Sequence, residues 1–379
     1  MTTLASVLLA LALVLVLWSY LVYPELVTRL ANRTTPRKAT LPIAPSVEVL
    51  ISAFNEQETI GPRIENLVAQ EYPGRLTVSI GCDGCRDWTA IRAREVGGER
   101  VKVGEFAERR GKAAVLNELV RRSEGEILVF TDANSEFARD AVMRIVTPFA
   151  DPDVGAVCGR LKLEDPNGSE SPETEFWNHE MRLKAAEGRL GVCLGGNGAI
   201  YAARRELIRP IPAGSAMDDF LIPAYIARQG KKVVFAGDAV AREPAAPTVR
   251  DEMARRFRIG VGAGRVLRSE TWLFDSRRHP LLTLAFLSRK VARWLAPVVF
   301  LAATFAALGS EVLRFVALGV LLAAAVAALA AKEVRRVRGF AGRLYYFGVI
   351  NLALAAGVVP GLFGYRRAIW KPTGRTGSP

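Results

Sequence analysis

The run Glu126-Ile127-Leu128-Val129-Phe130-Thr131-Asp132-Ala133-Asn134 ends a hydrophobic strand pattern on an acidic residue, with a second oxygen donor two positions further on. Alternate residues of an extended chain face the same way, so Asp132 and Asn134 can address one ion. A hard divalent cation such as Mg²⁺ or Mn²⁺ takes oxygen ligands and substrate phosphates together, so the pair could hold a metal against a phosphate. Other polar residues occupy equivalent places. Asn55 and Glu56 follow the strand-like Val47–Ile51, and Asp83 follows Leu76–Gly81. Lys112 opens a helical stretch, Lys112–Arg122. Asp218 and Asp219 precede a helical Phe220–Gln229, and Arg255 and Arg258 lie on a basic stretch, Arg250–Arg268.

These residues need a frame that brings them to one edge. From Pro45 to Val240 short β-rich runs alternate with helical patterns. Strands are expected at Val47–Ile51, Leu76–Gly81, Val101–Val103 and Ile127–Thr131, with helices around Thr59–Gln70, after Thr89 and over Lys112–Arg122. The alternation predicts an α/β domain built on a mainly parallel, doubly wound sheet. Ligands of such sheets bind outside the carboxyl ends of the strands, where Asn55, Glu56, Asp83, Asp132 and Asn134 fall. No Gly-x-Gly-x-x-Gly follows the first strand, which argues against a nicotinamide-dependent oxidoreductase. The run Gly195-Gly-Asn-Gly198-Ala-Ile-Tyr201 permits close backbone approach but is too generic to name as a phosphate loop. Trp177, His179 and Glu180 lie on a helical stretch, where His179 reads better as structural.

Half of the 379 residues are hydrophobic, and they are unevenly placed. Ala5–Tyr23 is nearly uninterrupted, and apolar stretches recur at Trp294–Leu308, Val312–Ala331 and Leu344–Phe363. About 20 apolar residues match a bilayer core. The first run lacks a preceding basic region and exceeds a usual signal-peptide core, so it is expected to be retained as a span. Between His279 and Arg293 the basic, amphipathic sequence suits either an interfacial helix or the start of the second span. The net charge of +13 is concentrated beside these stretches, and by the positive-inside rule those flanks lie in the cytoplasm. Anionic lipid headgroups and nucleotide phosphates are sufficient partners for it, with no need of nucleic acid. Cys82-Asp-Gly-Cys85 resembles half of a zinc site, but no second Cys or His pair completes it; the four cysteines are expected to be free thiols. Four simple spans would put the basic tail, Arg366–Arg375, outside; a break at Gly357, Pro360 and Gly361 could return it through a re-entrant hairpin.

Taken in order, Ser52-Ala-Phe-Asn55-Glu56, Cys82-Asp83-Gly-Cys-Arg-Asp87-Trp-Thr89, Gly111-Lys112-Ala-Ala-Val-Leu-Asn117, Thr131-Asp132-Ala-Asn134, Met217-Asp218-Asp219 and Arg255-Arg-Phe-Arg258-Ile259-Gly-Val-Gly262 resemble the membrane-bound family 2 glycosyltransferases, the group of cellulose, chitin, hyaluronan and poly-N-acetylglucosamine synthases. The likeness covers nearly the whole chain. It implies a GT-A-type nucleotide-sugar domain plus transmembrane helices. It implies that Asn55, Glu56, Asp83, Lys112, Asp132, Arg255 and Arg258 bind the nucleotide-sugar and that Asp132 and Asn134 bind Mg²⁺ or Mn²⁺. Asp219 matches the family's general base, with Asp218 in place of a Glu, and transfer with inversion follows. Asn134 departs from the family's second Asp, Arg255 from its Gln, and Ile259 from a Trp that binds acceptor sugar in polymerising members.

The expected layout is a transmembrane helix over 1–24, a cytosolic transferase domain over 45–245, and basic and amphipathic interfacial helices over 246–293. About three transmembrane segments follow over 294–364, then a basic tail over 365–379. The resemblance implies a multi-pass inner-membrane enzyme taking a UDP-sugar as donor. The acceptor is a polysaccharide or, alternatively, a membrane lipid or polyprenyl phosphate, with a synthase or export partner possible. A non-catalytic synthase subunit is the reading of a different class, and the retained Asp132 and Asp219 count against it.

Overall fold

Long stretches of Val, Ile and Leu without polar alternation make strands that are buried on both faces. A computed structural model describes residues 2–34, 44–164, 172–244, 249–310, 314–315, 318–319 and 340–365. The described residues divide into two units, one within Val27–Ala245 and the other within Met1–Leu26 and Ala246–Arg367.

The first unit is built on one eight-stranded sheet: β1 (Val47–Ala53), β2 (Leu76–Asp83), β3 (Val101–Phe106), β4 (Ile127–Thr131), β5 (Glu136–Phe137), β6 (Val154–Glu164), β7 (Tyr201–Arg204) and β8 (Lys232–Pro244). The helices among them are α2 (Ile60–Val68), α3 (Thr89–Gly97), α4 (Lys112–Arg122), α5 (Ala141–Val146), α6 (Pro172–Arg189) and α7 (Asp218–Arg228); α1, Thr3–Asn32, precedes the sheet. The strand order is β3-β2-β1-β4-β7-β6-β8-β5. Val47, Val49, Ile51, Val78, Ile80, Ile127 and Val129 are buried in its core.

The strands and helices expected up to β4 are present. The sheet is mixed, with parallel pairings in the majority. β3, β2, β1 and β4 run parallel, as do β6 and β8, whereas β7 is antiparallel to both β4 and β6, and β5 is antiparallel to β8. The regular βαβ alternation that licensed the parallel expectation stops at β4, and hydrophobic periodicity carries no strand direction. The reversal matters for the site. With Phe130 paired to Tyr201, the start of β7 lies beside the end of β4, so the Gly-rich entry to β7 reaches the edge where Asp132 leaves the sheet.

The second unit contains α8 (Val249–Ser269), α9 (Pro280–Leu308) and α10 (Phe340–Leu362). The amphipathic His279–Arg293 stretch and the apolar Trp294–Leu308 stretch form one helix from Pro280 onward, with a π turn at Phe286–Val291. Among the described residues two helices, Thr3–Asn32 and Pro280–Leu308, are long and apolar enough to cross a membrane, and Phe347–Leu362 is a shorter apolar helix. Arg293 sits over the Tyr20 ring at 4.4 Å. The expected Val312–Ala331 span, the basic loop after it and the tail from Arg366 lie outside the described residues.

The re-entrant break at Gly357, Pro360 and Gly361 does not occur, because α10 is helical through all three. The glycines instead let two backbones touch. A Cβ on Gly260 would strike the Leu354 carbonyl, one on Gly264 the Val358 carbonyl, one on Gly357 the Phe257 carbonyl and one on Gly361 the Val261 carbonyl. Glycines four apart on each helix lie on one face, so the spacing makes a packing seam between α8 and α10.

Candidate active site

The parallel strands deliver their polar successors to one edge. After β1, Asn55 takes a left-handed conformation with φ 53°, which an Asn tolerates better than most residues. Its Oδ1 accepts from the Arg86 N–H at 3.0 Å. Glu56 is buried; its N–H donates to Thr89 Oγ1 at 2.8 Å, and its Oε2 accepts from Thr59 Oγ1 at 2.7 Å. Asp87 accepts from the Gln57 N–H at 3.2 Å and from the Thr89 N–H at 3.1 Å, so it ties the β1 exit to the start of α3.

Asp83 ends β2 and is buried. Its Oδ1 accepts from the Arg110 N–H at 2.6 Å and its Oδ2 from the Gly111 N–H at 2.8 Å. Gly111 lies at φ 89°, a conformation open to glycine at no steric cost, and α4 begins at the next residue. Asp83 therefore holds the loop that aims Lys112.

Lys112 Nζ lies 2.8 Å from Asp132 Oδ1 and 3.2 Å from Asp218 Oδ2. Burial alone would lower the lysine's pKa, but Asp132 and then Asp218 outweigh it and hold the ammonium charged above its ordinary range. Asp218 opens α7, is buried, and also accepts from Tyr201 Oη at 3.0 Å. The Tyr201 ring stacks on Phe130 with centroids 4.7 Å apart. Burial first, and Asp218 second, push the Tyr201 hydroxyl well above its usual pKa, so it stays a donor. Asp219 is half-buried beside Asp218 in the first turn of α7, where the helix dipole favours carboxylates. Its carbonyl accepts from the Gly196 N–H at 2.6 Å, fastening the Gly-rich segment to α7.

That segment closes the edge. A Cβ on Gly198 would lie 2.7 Å from Asp132 Oδ2 and 3.7 Å from Lys112 Nζ, so only glycine leaves the pair undisturbed. Buried Lys184 donates to the Gly196 carbonyl at 3.0 Å and to Asn197 Oδ1 at 2.6 Å. Behind Asp132, Thr131 Oγ1 donates to the Ala199 carbonyl at 2.6 Å and accepts from Arg63 Nη2 at 2.8 Å. Arg63 is buried, and burial lowers its pKa to about 9 against the pull of Glu243 and Asp132. Asn134 is half-buried in the turn after Asp132.

Lys112, Asp132 and Asp218 thus form one cluster, with Asp219 adjoining. Asn55, Glu56 and Asp83 occupy the neighbouring exits of β1 and β2. Arg255 and Arg258 belong to α8 of the other unit. Arg255 is gripped by Glu252 of its own helix, with Nε to Oε2 at 2.6 Å and Nη2 to Oε1 at 2.9 Å. Glu180 is buried and His179 half-buried on α6, while the side chain of Trp177 lies outside the described residues. Sequence reasoning gave no role to Tyr201, Lys184 or Arg63. A tyrosine opening a strand and a basic residue inside a helix carry no local sign of their partners.

A mixed α/β sheet carrying these groups at its carboxyl edge has the GT-A-like glycosyltransferase architecture. The profile of the glycosyltransferase like family 2 matches residues 44–262, more than half of the chain, and the chain belongs to that family. An N-acetylglucosaminyltransferase from Azorhizobium caulinodans is 28% identical over 190 residues, covering 48% of this chain and 47% of the relative. One from Rhizobium meliloti is 30% identical over 166 residues, 41% of this chain and 39% of the relative. The chain thus spans less than half the length of these curated relatives. A mannosyltransferase from Pyrobaculum calidifontis, solved with GDP-Man and Mn²⁺, superposes with a TM-score of 0.67 at 26% identity, over 94% of this chain and 99% of that one.

Proposed function

We propose that this chain transfers a sugar from a nucleotide-sugar to a polysaccharide acceptor at a membrane, with inversion at the anomeric carbon. The observation that carries the reading is the Lys112–Asp132–Asp218 cluster, with Asp219 beside it at the start of α7. Asp219 takes the proton of the acceptor hydroxyl. The oxygen forms its bond to the anomeric carbon as the bond to the diphosphate breaks, and no covalent sugar intermediate is needed. Asp218, committed to Lys112 and Tyr201, positions the start of α7 and leaves the proton transfer to Asp219. Asn55, Glu56 and Asp83 surround the nucleoside, Lys112 faces the diphosphate, and Arg258 of α8 supplies a guanidinium for phosphate oxygens. Arg255 supports α8 through Glu252.

The donor set at Asp132 fits a hard divalent cation. One carboxylate and the Asn134 amide oxygen suit Mg²⁺ or Mn²⁺ when the diphosphate completes the shell, and Lys112 already marks a cation position there. Such an ion would offset the charge that builds on the departing diphosphate.

Residues 45–245 form the cytosolic transferase domain in this reading, with a span over 1–24, interfacial elements over 246–293, spans over 294–364 and a basic tail over 365–379. Exposed apolar side chains along α1, among them Val14 at 59% and Leu21 at 62%, support a lipid-facing helix. A second reading has specific support: Ile259 stands where polymerising relatives carry Trp, which favours a membrane lipid or polyprenyl phosphate as acceptor.

The test is radiolabelled transfer by the full chain in lipid, with UDP-N-acetylglucosamine, other UDP-sugars and GDP-mannose, each with Mg²⁺ or Mn²⁺. Label in a high-mass polymer supports the first reading and label confined to a lipid extract the second. Replacing Asp219 by Asn is expected to cut turnover by roughly 10²–10⁴, the usual worth of a general base. Near-wild-type turnover in a folded Asp219→Asn protein would remove Asp219 from that role.

A further inference from the structure

The basic tip of Lys112 stands between two carboxylates that leave different elements, Asp132 at the end of β4 and Asp218 at the start of α7. Its distance to Asp132 Oδ1, 2.8 Å, is that of a charge-assisted hydrogen bond. On the far side of the same carboxylate the backbone of Gly198 comes close enough that a methyl group would meet Oδ2 at 2.7 Å. Asp132 is therefore held on one flank by a cation and crowded on the other. The second position of the metal motif is the neutral Asn134, so within that motif only Asp132 brings a carboxylate to an incoming ion. Buried Arg63, one hydrogen bond behind Thr131, adds positive charge to the same corner. A free divalent cation approaching this corner meets a carboxylate that is already paired and a lysine it repels.

A nucleoside diphosphate changes that balance. It brings anionic oxygens to the amino end of α4, where Lys112 is the first residue and the helix dipole favours an anion. The ammonium can turn from Asp132 to phosphate on its own stem, and Asp132 is then released to the metal. We propose that Lys112 is a tethered cation that occupies the place of the metal at Asp132 until diphosphate draws it away, so that metal and nucleotide bind together and the metal does not bind first. The inference rests on the reading of Asp132 as a metal ligand and deepens it.

The experiment is Mn²⁺ binding to the full chain in lipid, followed by the electron paramagnetic resonance signal of free Mn²⁺, with and without UDP or GDP. Wild type, Lys112→Met, Lys112→Gln and Asp132→Asn are compared, with no donor and no turnover. Wild type is expected to bind Mn²⁺ weakly alone and far more tightly with diphosphate. Lys112→Met takes the ammonium away from Asp132 and is expected to tighten nucleotide-free binding on the order of ten- to a hundredfold, the worth of a hydrogen bond between charged groups. It also shrinks the enhancement that diphosphate gives. Lys112→Gln, which keeps a polar tip, moves the same way by less and serves if the Met variant does not fold. Nucleotide-free affinity that is unchanged or weaker in both lysine variants, while wild type with diphosphate still binds Mn²⁺ through Asp132, overturns the tethered-cation inference alone. Absence of Asp132-dependent Mn²⁺ binding in wild type with UDP and with GDP overturns the metal reading itself.

Discussion

Tyr201→Phe removes one oxygen and leaves the ring stacked on Phe130, so it isolates the hydrogen bond to Asp218. The bond is 3.0 Å long, runs from a hydroxyl to a carboxylate, and is buried at both ends. Hydrogen bonds to charged groups contribute about 1.5–3 kcal/mol, and Asp218 keeps only Lys112 as its other partner in the cluster, so a loss of about 2 kcal/mol is expected. At roughly 2–4 °C per kcal/mol for a domain of 150–250 residues, the unfolding midpoint should fall by about 4–8 °C. The charge can be tested separately. In an Asp218→Asn background the same substitution removes a neutral bond worth about 1 kcal/mol, which leaves a coupling of about 1 kcal/mol between the two sites. The assay is thermal unfolding of the four proteins of this cycle in one detergent at one pH, read by intrinsic fluorescence. A Tyr201→Phe protein as stable as wild type, or an equal loss in both backgrounds, would refute the idea that the hydroxyl serves the charge on Asp218.

Two further outcomes follow from the same geometry. Cys85 is drawn down to about 7 from an ordinary thiol value of 9.0, first by its hydrogen bond with Cys82 and against the opposing effect of burial. A thiol lowered to about 7 is about half thiolate at neutral pH, so iodoacetamide should label Cys85 at a rate that rises through about pH 7 and levels off where an ordinary cysteine is still gaining. A midpoint near 9 in the pH–rate profile, with Cys82→Ser as comparison, would reject that hydrogen bond as the cause. Gly361→Val places a branched side chain against the Val261 backbone in the α8–α10 seam and is expected to cost at least about 3 kcal/mol, the upper range for overpacking, whereas Gly319→Ala meets nothing within 4 Å. Equal thermal stability of these two variants would mean that the seam is not packed as described.

How much could be read from the sequence differs from element to element. β1, β2, β4 and α4 announce themselves because apolar runs, turn residues and a helix-favouring stretch agree locally. Asp132 and Asp83 are legible for the same reason: each is the first polar residue after a buried strand. The direction of β7 is not legible, since a four-residue run such as Tyr201–Arg204 pairs equally well either way until the rest of the sheet exists. Tyr201 and Gly198 become part of the site only through that reversal. Arg63 acts across 68 residues of sequence, through Thr131, and no local pattern encodes such a contact. Arg255 is the opposite case. Glu252 three residues before it makes a helix ion pair that spacing alone proposes. For the glycines of α10 the sequence reading offers only a broken helix; their spacing of four, matched by Gly260 and Gly264 on α8, makes a seam instead.

Side chains between two helices can change rotamer and let the helices shift by fractions of an ångström. Where backbone meets backbone, as between Gly260, Gly264, Gly357 and Gly361, there is nothing to re-pack. The joint works like a key in a keyway. A shift by one residue, about 1.5 Å along the axis with a turn of about 100°, would bring Val261 or Val358 into the slot, and the next matching register is about 6 Å away. A one-residue insertion in either helix between its glycines would meet the same obstacle. α8 and α10 are therefore one mechanical part, and the segment carrying Arg258 cannot change its height along that axis unless the C-terminal helix travels with it.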